Sequence, residues 1–253
     1  MASQHLPRST EVILRRIALE GTPREDYVQE LPAMQYLKDL PYFEFRAPVT
    51  FLVGDNGAGK STLMEAIAVN LGFSSFGGRL EPLERGTHGA SSLGYAIQCA
   101  LTENLHRGYY LRAETHDTML KASDTAEERG GWSILGPGHA LSSRSHGESV
   151  LDIVLEHVRG RGLYLFDEPE SGLSVVRQMA LLVEMKQAVD YGAQFIIATH
   201  SPFLLAYPGA DIVELGQSGF ERIAFAEAEP VVAARELLLD TEGTLRYLLE
   251  EPR

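Results

Sequence analysis

Apolar positions along the chain fall into short continuous runs separated by segments with helical spacing. Val12–Leu19, interrupted at Arg15 and Arg16, predicts a first strand. Positions 21 to 41 carry Pro23, Pro32 and Pro41 among charges and read as a loop or short helices. Thr50–Val53 is a compact apolar strand that runs straight into Gly54. The next segment places Leu63, Ile67 and Leu71 at i, i+4, i+8, and Gly72 offers a left-handed helix stop. Glu148–Arg159 predicts a helix with Leu151, Val154, Leu155 and Val158 on one face. Leu163–Phe166 and Phe195–Ala198 are buried-type strands. Between them, Val175–Val189 is amphipathic, with Met179, Leu182, Val183 and Met185 as core candidates. Continuous apolar strands alternating with helices predict an α/β fold whose mostly parallel sheet is covered on both faces.

The rest is less regular. Positions 73–149 are rich in Gly, Ser, Thr and His, with strand-like runs at Tyr95–Ala100 and Tyr109–Ala113, and read as an inserted lobe. Pro230 to Leu249 reads as one or two helices interrupted near Gly243. One domain is expected, with its core over about 1–72 and 150–225 and a helical tail over about 230–253.

Composition narrows the classes. The chain has 253 residues, 44% apolar and 23% charged, enough to bury a core. Asp and Glu number 35 against 22 Lys and Arg, a net charge of −13, which disfavours non-specific gripping of nucleic acid or anionic lipid. The single Cys99 excludes an internal disulfide and a Cys-based zinc site. No signal-peptide core follows Arg15 and Arg16, and no apolar run approaches the ~18 residues of a membrane span. A soluble, cytoplasmic protein without membrane insertion is expected.

Gly54-Asp55-Asn56-Gly57-Ala58-Gly59-Lys60-Ser61, followed by Thr62, fits G-x-x-x-x-G-K-[ST] in full, between a strand and a helix. Glycines let backbone N–H groups turn inward around phosphate oxygens, and the helix presents its positive end to them. Lys60 would reach the β- and γ-phosphates, and Ser61 would ligate magnesium. The apolar strand ending in Asp167-Glu168-Pro169 offers Asp167 as a second magnesium ligand, and Glu168 as the base that polarises an attacking water. Ser145-His146-Gly147-Glu148 leads into a helix and has the make-up of an anion site.

Together with Thr199-His200-Ser201 after a further strand, these four ordered motifs resemble the ABC-type ATPase superfamily. Within it, Asp-Glu-Pro-Glu170 and Ile-Ala-Thr-His-Ser-Pro202 are similar to stand-alone bacterial AAA-family and RecF/SMC-like ATPases. The resemblance covers residues 45 to 205. It implies a P-loop fold with an N-terminal antiparallel β portion and a helical signature lobe. It also implies ATP and Mg²⁺ as ligands and a head-to-tail homodimer that closes on ATP. Ser145 and Gly147, with His146 and Glu148 between and after them, would contact the γ-phosphate held by the partner's loop, and His200 would sense the γ-phosphate in cis. The chain departs from the pattern at Ser174, where many relatives carry Asp, and at Glu148, where transporters prefer Gln. Gln98 and Glu114 both fit the glutamine-type position that contacts magnesium. Tyr27, Tyr36 and Tyr42 lie in the region where an adenine-stacking residue is expected, and each reads as a packing residue.

The resulting expectation is an ATP-driven switch acting on a protein partner. The alternatives are the ATP-binding subunit of a transporter, or a DNA-associated ATPase using Arg15, Arg16, Arg79 or Arg85 on an inner face.

Overall fold

In the computed structural model the described residues are 12–80, 92–112, 146–216 and 219–249, with backbone alone for 146–149. Strands β1 (Leu14–Leu19), β2 (Phe43–Glu44) and β5 (Ile97–Leu101) form a three-stranded antiparallel sheet in the order β2-β1-β5. The main sheet contains β3 (Val49–Val53), β4 (Gly78–Arg79), β6 (Gly108–Arg112), β7 (Gly162–Asp167), β8 (Ala193–Ala198), β9 (Asp211–Gly216) and β10 (Gly219–Ile223). Its order is β10-β9-β3-β8-β7-β6-β4. The five central strands run parallel, and only the edges, β10 on β9 and β4 on β6, are antiparallel.

Alternation along the central strands divides the core in two. Leu52, Leu165, Ile196 and Val213 face α2 (Pro32–Asp39) and α3 (Lys60–Leu71), where Met34, Leu63, Met64 and Ile67 are buried. Phe51, Phe166, Ile197 and Ile212 face the opposite layer, which holds α5 (His146–His157) and α6 (Val175–Asp190). Every residue of β3, β7 and β8 is buried, which is why these strands read as unbroken apolar runs. Thr50, Asp167 and Gln194 are their polar members, and Gln194 ties the two sheets together. Its amide oxygen accepts from the backbone of Ile13 (2.8 Å) and Leu14 (2.7 Å), and its amide nitrogen donates to Leu14 O (3.0 Å), clamping the small sheet to the large one.

Several expectations shift. The segment 21–41 contains α1 (Asp26–Glu30) and α2. Helix α3 ends as expected on Gly72 at φ 95°. The two runs placed in an inserted lobe pair with core strands: β5, entered through α4 (Leu93–Ala96), lies on β1, and β6 lies on β7. Helix α5 buries Val150, Ile153, Val154 and His157, while Leu155 is exposed. Helix α6 buries Gln178, Leu181, Met185 and Ala188, whereas Met179 and Val183, expected in the core, face outward. In both helices apolar residues lie on more than one face and blur the stripe, and packing selects one. The final segment forms α8 (Glu229–Leu239) and α9 (Thr241–Leu249), which break at Asp240 rather than Gly243.

Candidate nucleotide site

Parallel register brings three loops to one edge. Leu52 pairs with Ala198, and Ala198 with Asp167, so the chain leaves β3, β7 and β8 side by side. From these ends emerge Gly54–Gly59, Glu168–Pro169 and Thr199–His200. A crevice at the carboxyl ends of parallel strands is the ordinary place for a ligand in such a sheet.

Gly54 turns at φ 134°, where a Cβ would lie 2.3 Å from Leu215 O, so only glycine lets β9 pass this close. Gly57, at φ 87°, faces open space. Gly59, at φ 96°, starts α3. The loop is braced from outside, since the Ala33 N–H donates to Ala58 O (3.1 Å) and ties α2 to it. Lys60 is buried, and its ammonium folds back to donate to Gly54 O (2.6 Å) and Asp55 O (3.0 Å). Burial lowers its pKa, against the opposing pull of Glu168, Asp167, Asp55 and Glu170.

Ser61 Oγ donates to Asp167 Oδ1 at 3.1 Å across the gap between α3 and β7. Glu168 has φ 51°, a left-handed conformation rare for a residue with a side chain. It is held there by its own N–H, which donates to Ala198 O at 2.9 Å, and by the N–H of Ser171 donating to its carbonyl at 3.0 Å. His200 N–H donates to Glu170 Oε1 at 2.7 Å. Among the described residues, His200 Nε2 and Glu170 Oε2 are buried without a hydrogen-bond partner. The residues present therefore fit a phosphate-bearing ligand: a glycine cradle, a buried cation held only by carbonyl oxygens, and an unsatisfied imidazole nitrogen along one edge. Ser61 and Asp167 offer the hard oxygen donors that Mg²⁺ favours. Among the described residues no group of three or more His, Cys, Asp or Glu could hold a metal by itself, so phosphate or water oxygens would complete the coordination.

Other candidates are dispersed. Ser201 Oγ caps α7 (Pro202–Leu205), accepting from Phe203 N (3.2 Å) and Leu204 N (3.3 Å), and also contacts Gln178. Ser174 caps α6, its Oγ accepting from Arg177 N at 3.4 Å. The backbone of His146, Gly147 and Glu148 opens α5, while Ser145 and Glu114 lie outside the described residues. Gln98 is exposed on β5, beside Asn70 at the far end of α3, about 15 Å along the helix from Lys60. It is not brought to the site. Tyr42 lies under the Arg16 guanidinium (4.2 Å), Tyr36 packs on Phe220, and Tyr27 is exposed on α1. Arg15 and Arg16 share the carboxylate of Glu44, whereas Arg79 lies on the other sheet and Arg85 is outside the described residues.

Two groups escaped the sequence reading. Glu170 was visible only as part of a motif. The ion pair of Arg112 and Glu65 (2.7 Å) sits on β6 and α3, with Arg112 level with Asp167 in the sheet. A charge closing an otherwise apolar strand was the available signal.

A full glycine loop facing an acidic strand end at the carboxyl ends of parallel strands is the arrangement of a P-loop nucleotide-binding domain. A family model described as "AAA domain" matches residues 33–164, more than half of the chain, and the chain belongs to that family. A second model, described as "AAA domain, putative AbiEii toxin, Type IV TA system", matches residues 141–206. The energy-coupling factor transporter ATP-binding protein EcfA2 of Clostridium perfringens is 28% identical over 90% of this chain and 89% of its own length. The arabinose import ATP-binding protein AraG of Mannheimia succiniciproducens is 26% identical over 68% of this chain. The chain spans only 13% to 37% of the length of several curated relatives, AraG among them. The SMC head domain from Thermotoga maritima aligns over 84% of this chain and 98% of its own, at 15% identity and a TM-score of 0.45. Among the described residues no helix is long and apolar enough to cross a membrane.

Proposed function

We propose that the protein hydrolyses Mg-ATP to ADP and phosphate at the interface of a head-to-tail homodimer, and that ATP-driven closing and opening of the dimer acts as a switch on a protein partner. The observation that carries the reading is the convergence of Lys60, Asp167–Glu168 and His200 on the ends of three adjacent strands.

The residues divide the work by position. Backbone N–H groups from Gly54 to Thr62, including Asp55, Asn56 and Ala58, surround the phosphates, and Lys60 moves from its carbonyl partners to the β- and γ-oxygens. Ser61 and Asp167 would hold Mg²⁺, which would supply charge neutralisation to the nucleotide phosphates. Glu168, turned by its left-handed backbone, accepts the proton of the attacking water. Such a general base contributes about 10²–10⁴ in rate. His200 donates to the γ-phosphate from Nε2. Ser145 and Gly147 of each subunit close on the nucleotide of the other, with His146 and Glu148 completing that segment. Phosphate release from ATP by the full chain tests the reading. The wild type should turn over in Mg²⁺, and Lys60→Ala and Glu168→Gln should not. Turnover retained in Glu168→Gln would sink the assigned base.

The likeness to EcfA2 along nine-tenths of both chains favours a second reading, the ATP-binding subunit of a membrane transporter. The exposed apolar residues Val176, Met179 and Val183 on α6 suit either partner. Stimulation of turnover by a reconstituted transmembrane partner would establish the second reading, and an active chain that dimerises on ATP with no such partner supports the first.

A further inference from the structure

At the opposite edge of the main sheet, a cavity of about 470 Å³ is lined by Arg79, His106, Arg107, Glu156, His157 and Arg159. Arg79 comes from edge strand β4, Arg107 from the approach to β6, and Arg159 from the turn after α5. These are the amino ends of β6 and β7, so the cavity lies across the sheet from the glycine loop.

Its charge is unbalanced. Three guanidiniums meet one carboxylate, Glu156, which lies 3.4 Å from Arg79. Arg107 donates to Arg159 O (2.5 Å) and Arg159 to Glu156 O (3.0 Å). Among the described residues neither meets a carboxylate, although nearby Arg161 has paired with Glu103. The chain carries a net charge of −13, yet among the described residues Glu156 is the one carboxylate lining this group.

His157 adds an independent sign. It is 7% exposed and stacks on Tyr109 at 4.7 Å. Its Nδ1 accepts from Arg79 (3.1 Å from Nε, 2.9 Å from Nη2), so the ring proton sits on Nε2. That nitrogen is buried and has no partner among the described residues. The floor is closely packed: a Cβ on Gly108 would lie 2.4 Å from Leu163 O and 2.6 Å from the Phe73 ring.

We infer that this cavity binds a small phosphate-bearing anion at a second site, separate from the nucleotide loop. Guanidinium forks match the oxygens of such a group in bidentate fashion. An open pocket of this size, with its guanidiniums at the rim, suits a compact ligand, whereas the backbone of a nucleic acid would call for a basic stripe. The inference is independent of the proposed ATPase reaction.

The test is calorimetric titration of the full Lys60→Ala chain, in which the glycine loop is disabled, with pyrophosphate, AMP and a short DNA duplex in separate arms. Saturable binding of pyrophosphate or AMP is expected, weakened about tenfold or more by Arg107→Gln with Arg159→Gln. The arm that binds tells a free inorganic anion from a phosphomonoester. Because the double variant could lose its fold, Arg159→Lys, which keeps the charge but not the fork, is the companion. It should weaken binding while leaving the thermal midpoint within a few degrees. A shift of the His157 Nε2–H resonance on titration should accompany binding. Binding unaffected by these variants, no binding at millimolar anion, or binding of the duplex alone would overturn the assignment.

Discussion

The backbone N–H of His200 donates to Glu170 Oε1 at 2.7 Å, linking the loop after β8 to the residue two beyond Glu168. The bond holds the imidazole beside the edge where the three loops meet, without using the ring. Its carboxyl partner is largely shielded, and burial raises the Glu170 pKa against the lowering effect of the His200 and Thr199 hydrogen bonds.

Glu170→Ala should leave the His200 N–H buried and unpaired. A loss of about 1–3 kcal/mol in unfolding free energy is expected, with slower turnover. Glu170→Gln keeps an acceptor and removes the titration. Since the folded-state pKa is raised, the wild-type contribution is complete below the ordinary carboxylate pKa and declines as pH rises through the raised value. The Gln variant should therefore gain on the wild type with rising pH in thermal unfolding. A constant difference from pH 4 to 8 would contradict this.

At φ 51°, Glu168 stores backbone strain of about 1 kcal/mol or more. Glu168→Gly should unfold at an equal or higher temperature than the wild type while losing phosphate release. Calorimetry and a phosphate assay on one preparation measure both, and a clearly destabilised Gly variant would show the strain to be absent.

Two glycines of the loop separate fold from function. Gly54→Ala puts a methyl group 2.3 Å from Leu215 O and should destabilise the protein by several kcal/mol, on the order of other overpacked positions. Gly57→Ala meets nothing and should cost only about 1 kcal/mol, the strain of its left-handed backbone. Nucleotide affinity should still fall, because the methyl group enters the space a phosphate needs. Denaturant melts and nucleotide titration of the pair distinguish the two effects.

His157 predicts an acid limb. Burial, with Arg79 and Arg159 beside it, pushes its pKa down to about 4. The surrounding charges are Arg79 on β4, His106 and Arg107 before β6, and Glu156 and Arg159 at the end of α5, with Tyr109 stacked on the ring. A depressed folded-state value means the contribution is complete above about 6.5 and is lost as pH falls toward about 4. His157→Phe should flatten that part of the stability profile.

Much of the arrangement of the candidate site was legible because its chemistry is local. The glycine loop, the Asp167–Glu168 pair and His200 each follow directly from an apolar strand, and parallel pairing brings strand ends together without further information. What lay beyond reach depended on tertiary choice. Both faces of α6 carry apolar residues, and only the packed sheet selects Leu181 and Met185 over Met179 and Val183. Strands β5 and β6 are short, and the sequence could not reveal that one joins β1 while the other joins β7. Gln98 was a candidate as a glutamine following a strand-like run, and strand placement puts it at the far end of α3 from Lys60.

The ATP-dependent dimer is tested most directly by the mass in solution of the wild type and Glu168→Gln, each with and without Mg-ATP, by light scattering. The account predicts monomers without nucleotide. It predicts a dimer with Mg-ATP that is transient in the wild type and persistent in Glu168→Gln. A mass indifferent to Mg-ATP in both proteins would contradict it.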